Sequence, residues 1–277
     1  MSMASAVYRP AVGADASGRL RVRDLSIEVR PPGTGWMEIV RGVSFDLDRG
    51  RTLGIVGESG SGKSLTVRAL MGLLPQQSAR VCRGNIYLGG EELGGKGPGA
   101  FKNVRGRRIC MVFQDAMSAL NPVLTIGYQL KQILRIRMGL SGAALQRRAL
   151  ELLDNVRIAN AAERLTAYPH EFSGGMRQRV AIAMAIAQAP EIMIADEPTT
   201  ALDVTTQRQI LELIMEIQHE QNLALLLITH DLGVAGYMAD DIAVMHGGRI
   251  IEITDADRFF SGPDHPYSRR LLESVVS

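Results

Sequence analysis

Apolar residues along this chain follow two rhythms, and the rhythm changes near its middle. In 20–29 and 39–47 they alternate with polar ones, as Val43, Phe45 and Leu47 do, which is the period of a strand with one buried face. A Pro/Gly break at 31–35 separates these two strands. The stretch 51–56 predicts a compact strand that runs straight into a glycine-rich turn, and 64–74 predicts a helix stopping before Pro75. Short strand patterns follow at 84–88 and 108–113. From 121 to 189 the spacing is helical: Leu145, Ala149, Leu152, Leu153 and Val156 share one face, with Ser141 placed as an N-cap. The run 180–187 is apolar all round and predicts a buried helix. Near-continuous apolar runs at 192–195 and 223–229 predict parallel strands covered on both faces, with an amphipathic helix marked by Ile210, Leu213, Ile214 and Ile217 between them. Strands alternating with helices, interrupted by a helical stretch, predict an α/β core carrying a helical subdomain at about 115–175.

Composition narrows the class. The 277 residues (30.1 kDa) are 46% hydrophobic and 22% charged, which excludes a disordered chain. Lys and Arg total 31 against 29 Asp and Glu, a net charge of +2, so the basic footprint of a nucleic-acid binder is missing. Two cysteines, Cys82 and Cys110, are too few for a disulfide scaffold or a four-cysteine metal site and fit a reducing compartment. The longest wholly apolar stretch, 180–187, is far short of the roughly twenty residues that cross a bilayer. Residues 1–19 read as a loose tail without a signal-peptide core, and the rest as one domain over 20–277.

The sharpest chemical signal is Gly57-Glu58-Ser59-Gly60-Ser61-Gly62-Lys63-Ser64, which satisfies G-x-x-x-x-G-K-[ST] between a predicted strand and a predicted helix. Glycines there let successive N–H groups turn inward around phosphate oxygens at a helix N-terminus. Lys63 is placed to reach the outer phosphates and Ser64 to ligate Mg²⁺. A second strand, 192–195, ends in Asp196 and Glu197. By itself an Asp-Glu pair at a strand end is a solvated turn. Beside a phosphate loop, Asp196 becomes the Mg²⁺ carboxylate and Glu197 the group that orients or deprotonates water.

Phe172-Ser173-Gly174-Gly175-Met176 resembles the signature motif, usually L-S-G-G-Q, of the ATP-binding cassette (ABC) ATPases. Further elements match in order. Gln114, after Val112 and Phe113, resembles the Q-loop glutamine; Ala201-Leu202-Asp203 resembles the D-loop; His230, after the 223–229 strand, resembles the switch histidine. The resemblance runs over about 20–277. The segments Tyr168-Pro169-His170-Glu171-Phe172-Ser173-Gly174-Gly175-Met176-Arg177-Gln178-Arg179 and Asp196-Glu197-Pro198-Thr199-Thr200-Ala201-Leu202-Asp203-Val204, with His265-Pro266-Tyr267, resemble the peptide and nickel importers of that family. No cysteine follows Cys110, whereas longer oligopeptide members carry a cysteine cluster after His-Pro-Tyr; a nickel or metallophore importer is therefore the alternative.

The resemblance implies a P-loop NTPase core with an antiparallel β subdomain, a helical subdomain insert and a C-terminal His-Pro-Tyr segment at about 258–277. It implies ATP and Mg²⁺ as cofactors, with Mg²⁺ held by Ser64, Gln114 and Asp196, and catalysis by Glu197, His230 and Gln114. Two cassettes would close head to tail, each lending Ser173, Gly174 and Gly175 to the other's ATP, with Asp203 among the nucleotide-binding residues. The companion would be a second ATP-binding subunit, a paralogue in this subfamily. Two transmembrane permeases would complete the assembly, served by an extracytoplasmic binding protein, with the chain peripheral on the cytoplasmic membrane face. The subdomain groove that receives a permease helix would draw on Met117, Leu120, Pro122, Val123 and Leu124, which read equally well as subdomain core. Adenine has no aromatic at the family's usual place; Trp36 and Arg30 are the available candidates. A soluble ABC ATPase of DNA repair or translation and a non-hydrolysing nucleotide switch are the competing readings. Missing coiled-coil arms, zinc cysteines and a second cassette weigh against the first, and Glu197 with His230 against the second.

Overall fold

In the computed structural model, residues 20–93, 99–200 and 202–276 are described. The expected tail at 1–19, most of the glycine-rich tract at 94–98, Ala201 of the expected D-loop and the side chain of Met117 lie outside them.

Two sheets form the frame. The chain begins with strands β1 (Leu20–Val29) and β2 (Met37–Leu47), then β3 (Thr52–Val56), helix α1 (Lys63–Leu70), and strands β4 (Ala79–Leu88), β5 (Glu91–Glu92) and β6 (Ile109–Val112). A helical stretch follows: α2 (Ala116–Ala119), α3 (Ile126–Met138), α4 (Gly142–Asn155), α5 (Ala161–Arg164) and α6 (Gly174–Ile186). Strand β7 (Ile192–Asp196), helix α7 (Val204–Gln221), strand β8 (Ala224–Thr229) and helix α8 (Leu232–Met238) come next. Strands β9 (Asp241–His246) and β10 (Arg249–Asp255) and helices α9 (Ala256–Ser261) and α10 (Pro266–Val276) close the chain.

One sheet is four-stranded and antiparallel, β2-β1-β4-β5; the other has the order β10-β9-β3-β8-β7-β6 and is parallel except for β10. Alternation within the parallel strands explains their unbroken apolar runs. Ile192 and Ile194 of β7 and Leu226 and Ile228 of β8 enter the core shared with the four-stranded sheet and α1. Met193, Ala195, Leu225 and Leu227 enter the core shared with α3, α4, α6 and α7. Each strand is covered on both faces, so neither face tolerates polar residues. A third core under α9 and α10 joins Val56, Leu232, Val244, Phe259 and Tyr267.

Three local expectations are revised. Helix α1 stops at Leu70, four residues earlier than its spacing predicts, because the N–H groups of Gly72 and Leu73 turn back onto the carbonyls of Ala69 and Arg68. The strand expected at 84–88 begins at Ala79. Ser141 does stand at the N-cap of α4, but its hydroxyl makes no capping bond. The 3.6-residue face of α7 is as expected, with Ile210, Leu213, Ile214 and Ile217 all buried. No helix among the described residues is long and apolar enough to cross a membrane.

Candidate functional site

Four loops that carry candidate chemistry leave neighbouring strands at one sheet edge. Strand β3 leads into 57–64, β8 into His230, β7 into Asp196 and Glu197, and β6 into Phe113 and Gln114. Because these four strands are parallel and adjacent, sequence positions up to 173 residues apart emerge side by side. The carboxyl edge of such a sheet is where open α/β folds bind ligands.

The phosphate loop is held tightly from below. Gly57 has φ 153°, and a Cβ there would run into the carbonyl oxygen of Met245 in β9. The Gly248 N–H donates to the Ser61 carbonyl at 3.1 Å, so the β9–β10 turn braces the middle of the loop. Lys63 is 6% exposed and folds back over the loop, donating through Nζ to the carbonyls of Gly57 (2.6 Å) and Glu58 (2.9 Å). A buried ammonium without such partners would cost several kcal/mol. Burial lowers the Lys63 pKa, and the charges of Glu197, Asp196 and Glu58 work against that fall. The third, longer contact of Lys63 is to Ser61 Oγ at 3.5 Å, and the residue stands at the start of α1, where helix N–H groups without partners in the helix fit an anion arriving at the loop. Glu58, Ser59, Gly60 and Ser64 are exposed.

Asp196 closes β7 and is half-buried. Its carboxyl is pushed above the ordinary range, by burial first and by Glu197 next, with Arg68 and Lys63 pulling it back. A carboxylate held at that cost beside the phosphate loop suits a divalent cation, which would relieve both causes. Glu197 takes a left-handed backbone, φ 47°, costly for a residue with a side chain. Its N–H donates to the Ile228 carbonyl at 2.9 Å and Thr200 Oγ1 donates to its Oε2 at 3.1 Å. Its Oε1 lies 3.0 Å from His230 Nδ1. Two residues assigned separate tasks by sequence therefore form one hydrogen-bonded pair, 21% and 60% exposed.

The signature turn is built differently. Ser173 is the N-cap of α6, and its hydroxyl accepts a long 3.4 Å bond from the Met176 N–H. Gly174 and Gly175 begin the helix, and a Cβ on Gly175 would strike the Thr206 methyl of α7. Thr206 in turn donates its N–H to Asp203 Oδ1 at 3.0 Å, so Asp203 caps α7 and its carboxyl is held below the usual range by Thr206. Gln114 is exposed and opens on a pocket of about 320 Å³ with Gly174, Arg177, Gln178, Thr200 and Leu202. No hydrogen bond among the described residues joins 173–175 to 57–64.

Trp36 packs its ring under the Arg80 guanidinium at 4.2 Å, while Arg30 ties its N–H to the Ser78 carbonyl at 2.8 Å. Both flank the β1–β2 loop, and β2 then reaches the phosphate loop at Val40, against Gly62. Among the groove candidates, Leu120 is 3% exposed and belongs to the subdomain core, whereas Val123 is 75% exposed and Pro122 is exposed as well. Sequence reasoning missed the β9–β10 wall at Met245 and Gly248, Thr200 beneath Glu197, and buried Gln178, whose amide donates to the Phe113 carbonyl at 3.4 Å. The Gly247-Gly248 pair, a hairpin-turn signal, was the only cue to the wall.

Comparison with known proteins agrees with this geometry. Residues 40–200 match the ABC transporter family. The chain is 48% identical to the oligopeptide transport ATP-binding protein OppD of Bacillus subtilis, over 92% of this chain and 71% of that one. It is 49% identical to the dipeptide transport ATP-binding protein DppD of the same organism, over 92% and 76%. A solved dimer of the ATP-binding cassette MJ0796, in a post-hydrolysis state with ADP and Pi, superposes with a TM-score of 0.74 at 27% identity, covering 86% of this chain and 98% of that one. A family match over more than half of its residues, with relatives of this likeness over 92% of its length, means that this chain belongs to the ABC transporter family.

Proposed function

We propose that this chain is the ATP-binding and ATP-hydrolysing subunit that energises an ABC importer of di- or oligopeptides. The observation that carries the ATPase reading is the gathering of 57–64, His230, Asp196 with Glu197, and Gln114 at adjacent ends of one parallel sheet. The peptide class is supported by the names of the two Bacillus relatives, and it is preferred on that ground to nickel or a metallophore.

Mg²⁺-ATP supplies a phosphoanhydride bond whose cleavage releases free energy and whose γ-phosphate distinguishes two states of the site. Everything else is done by the protein. Lys63 and the N–H groups of 57–62 would bind phosphate oxygens, and Ser64, Asp196 and Gln114 would hold the metal. Glu197, fixed by Thr200 and His230, would accept a proton from the attacking water, while His230 keeps that carboxylate aimed and would contact the terminal phosphate. Ser173, Gly174, Gly175 and Asp203 serve the phosphate loop of a second ATP-binding subunit, a paralogue. Two permeases, fed by an extracytoplasmic binding protein, receive the closure motion at the helical subdomain of about 115–175, with the chain on the cytoplasmic face of the membrane.

The test is phosphate release by the full chain assembled with its companion cassette and permeases in vesicles. Hydrolysis should need Mg²⁺, rise with di- or oligopeptide presented by the binding protein, and vanish in Lys63→Ala together with ATP binding. Stimulation by nickel but not by peptide would overturn the substrate class, and wild-type ATP affinity in Lys63→Ala would overturn the site.

A further inference from the structure

The helix that opens at the signature turn holds a buried cation for which the chemistry above has no use. Arg179 lies on α6, four residues after Gly175, and is 9% exposed. Its guanidinium donates to the Val156 carbonyl at 3.1 Å and to Gln209 Oε1 at 3.1 Å. Val156 is the buried C-cap of α4, and the last carbonyls of a helix have no partners within it. A cation there meets the negative end of the α4 dipole. Gln209 is an exposed residue of α7. One side chain thus spans three helices.

These bonds extend a seam that begins at the turn itself. A Cβ on Gly174 would meet the Leu202 side chain at 3.5 Å, and one on Gly175 would run into the Thr206 methyl. Arg179 meets Gln209 one helical turn further along both helices, since 175 and 179 share a face of α6 and 206 and 209 a face of α7. Asp203 is fixed to the same seam through the Thr206 N–H. Charge does not favour this placement: burial lowers the Arg179 pKa, and the like charge of Arg157 lowers it further. A methionine would fill a similar space without a buried cation, so packing alone does not account for the guanidinium. What the guanidinium adds is a rigid fork that reaches acceptors on two other helices at once.

We propose that Arg179 is a positioning residue for subunit pairing: by tying α6 to α7 and to the end of α4, it holds Ser173, Gly174 and Gly175 in fixed register with Asp203. A second ATP-binding subunit then meets the signature turn and the start of α7 as one rigid surface. This inference rests on the reading of those four residues as the surface offered to that subunit.

The experiment reads ATP-driven pairing of the full chain with its companion cassette, by sedimentation in a Glu197→Gln background with Mg²⁺-ATP. Calorimetry gives the ATP affinity of the single chain, and a melting curve gives the unfolding midpoint. Arg179→Met should weaken pairing by about tenfold or more and Gln209→Ala by about threefold to tenfold, the worth of the hydrogen bonds each removes. ATP affinity of the single chain should keep its wild-type value in both. The double variant should pair no worse than Arg179→Met, because both changes open the same bond. Arg179→Lys keeps the charge without the fork and should recover only part of the loss. Gln209 is exposed, so Gln209→Ala tests the clamp even where Arg179→Met lowers the midpoint. Wild-type pairing by Gln209→Ala, additive losses in the double variant, or a fall in single-chain ATP affinity overturns the proposal. A wild type that binds ATP but forms no pair sinks the pairing reading itself, whereas a wild-type pair matched by both variants sinks only the role of Arg179.

Discussion

The phosphate loop and the signature turn are both glycine-bearing segments that open a helix, yet the protein finishes one and leaves the other open. At 57–64 the backbone is pressed against β9, tied to Gly248 and filled from inside by the Lys63 ammonium. At 173–175 the serine and Gly174 are exposed, and Ser173 accepts a single long bond. The first N–H groups of any helix lack partners within it, so α6 presents donors outward from a rigid, wholly buried stem at 180–183. A loop completed by its own chain is a receptor for a ligand. Under the proposed function, a helix start kept open on a surface is half of a receptor, completed by what docks there. The contrast gives the two turns separable phenotypes under the pairing proposed above.

The sharpest separation removes the reaction and spares both turns. Glu197→Gln keeps the shape and the Thr200 contact but loses the base, so phosphate release should fall by ~10²–10⁴-fold, the span of general-base catalysis, with ATP affinity retained. A stopped assay beside an equilibrium binding curve checks this, and rapid hydrolysis by the variant would exclude Glu197 as the base. Damage to the finished turn comes next. Gly57→Ala puts a methyl into the Met245 carbonyl, where backbone meets backbone and neither yields. Nucleotide affinity should drop by about a hundredfold and stability by roughly 1–3 kcal/mol, as expected for strain at a special backbone position; calorimetry and a melting curve would show it. The open turn should be the mildest. Ser173→Ala removes one hydroxyl, so ATP binding by the single chain should be unchanged while ATP-driven pairing weakens by about fivefold to tenfold. If Ser173→Ala instead weakened ATP binding by the isolated chain, the two turns would not be separable and the comparison would fail.

How much of this could be read from the sequence depends on how local the cause is. The phosphate loop was legible because its spacing and its strand-before, helix-after setting are contiguous. Strands β7 and β8 were legible because residues such as Ile194 and Met193 must both be apolar when both faces are covered. Helix α1 was overestimated because Met71, Leu73 and Leu74 prolong an apolar pattern that the backbone itself stops, and Leu73 ends 42% exposed. Leu120 was left open between groove and subdomain core for a similar reason, and it is core: an apolar residue on a short segment does not reveal which side it faces until α3 and α6 pack. The remaining contacts are distant in sequence. Met245 walls Gly57 and His230 meets Glu197 only because the sheet order sets β9, β3, β8 and β7 side by side. Topology of that kind leaves no trace in spacing.

The central claim is that a triphosphate at 57–64 of one subunit is enclosed by 173–175 of another. The most direct measurement is sedimentation of Glu197→Gln with its companion cassette, with Mg²⁺ and either ATP or ADP. The account expects a heavier species with ATP that dissolves when ADP replaces it. Sedimentation that is the same with ATP, ADP or no nucleotide would contradict it.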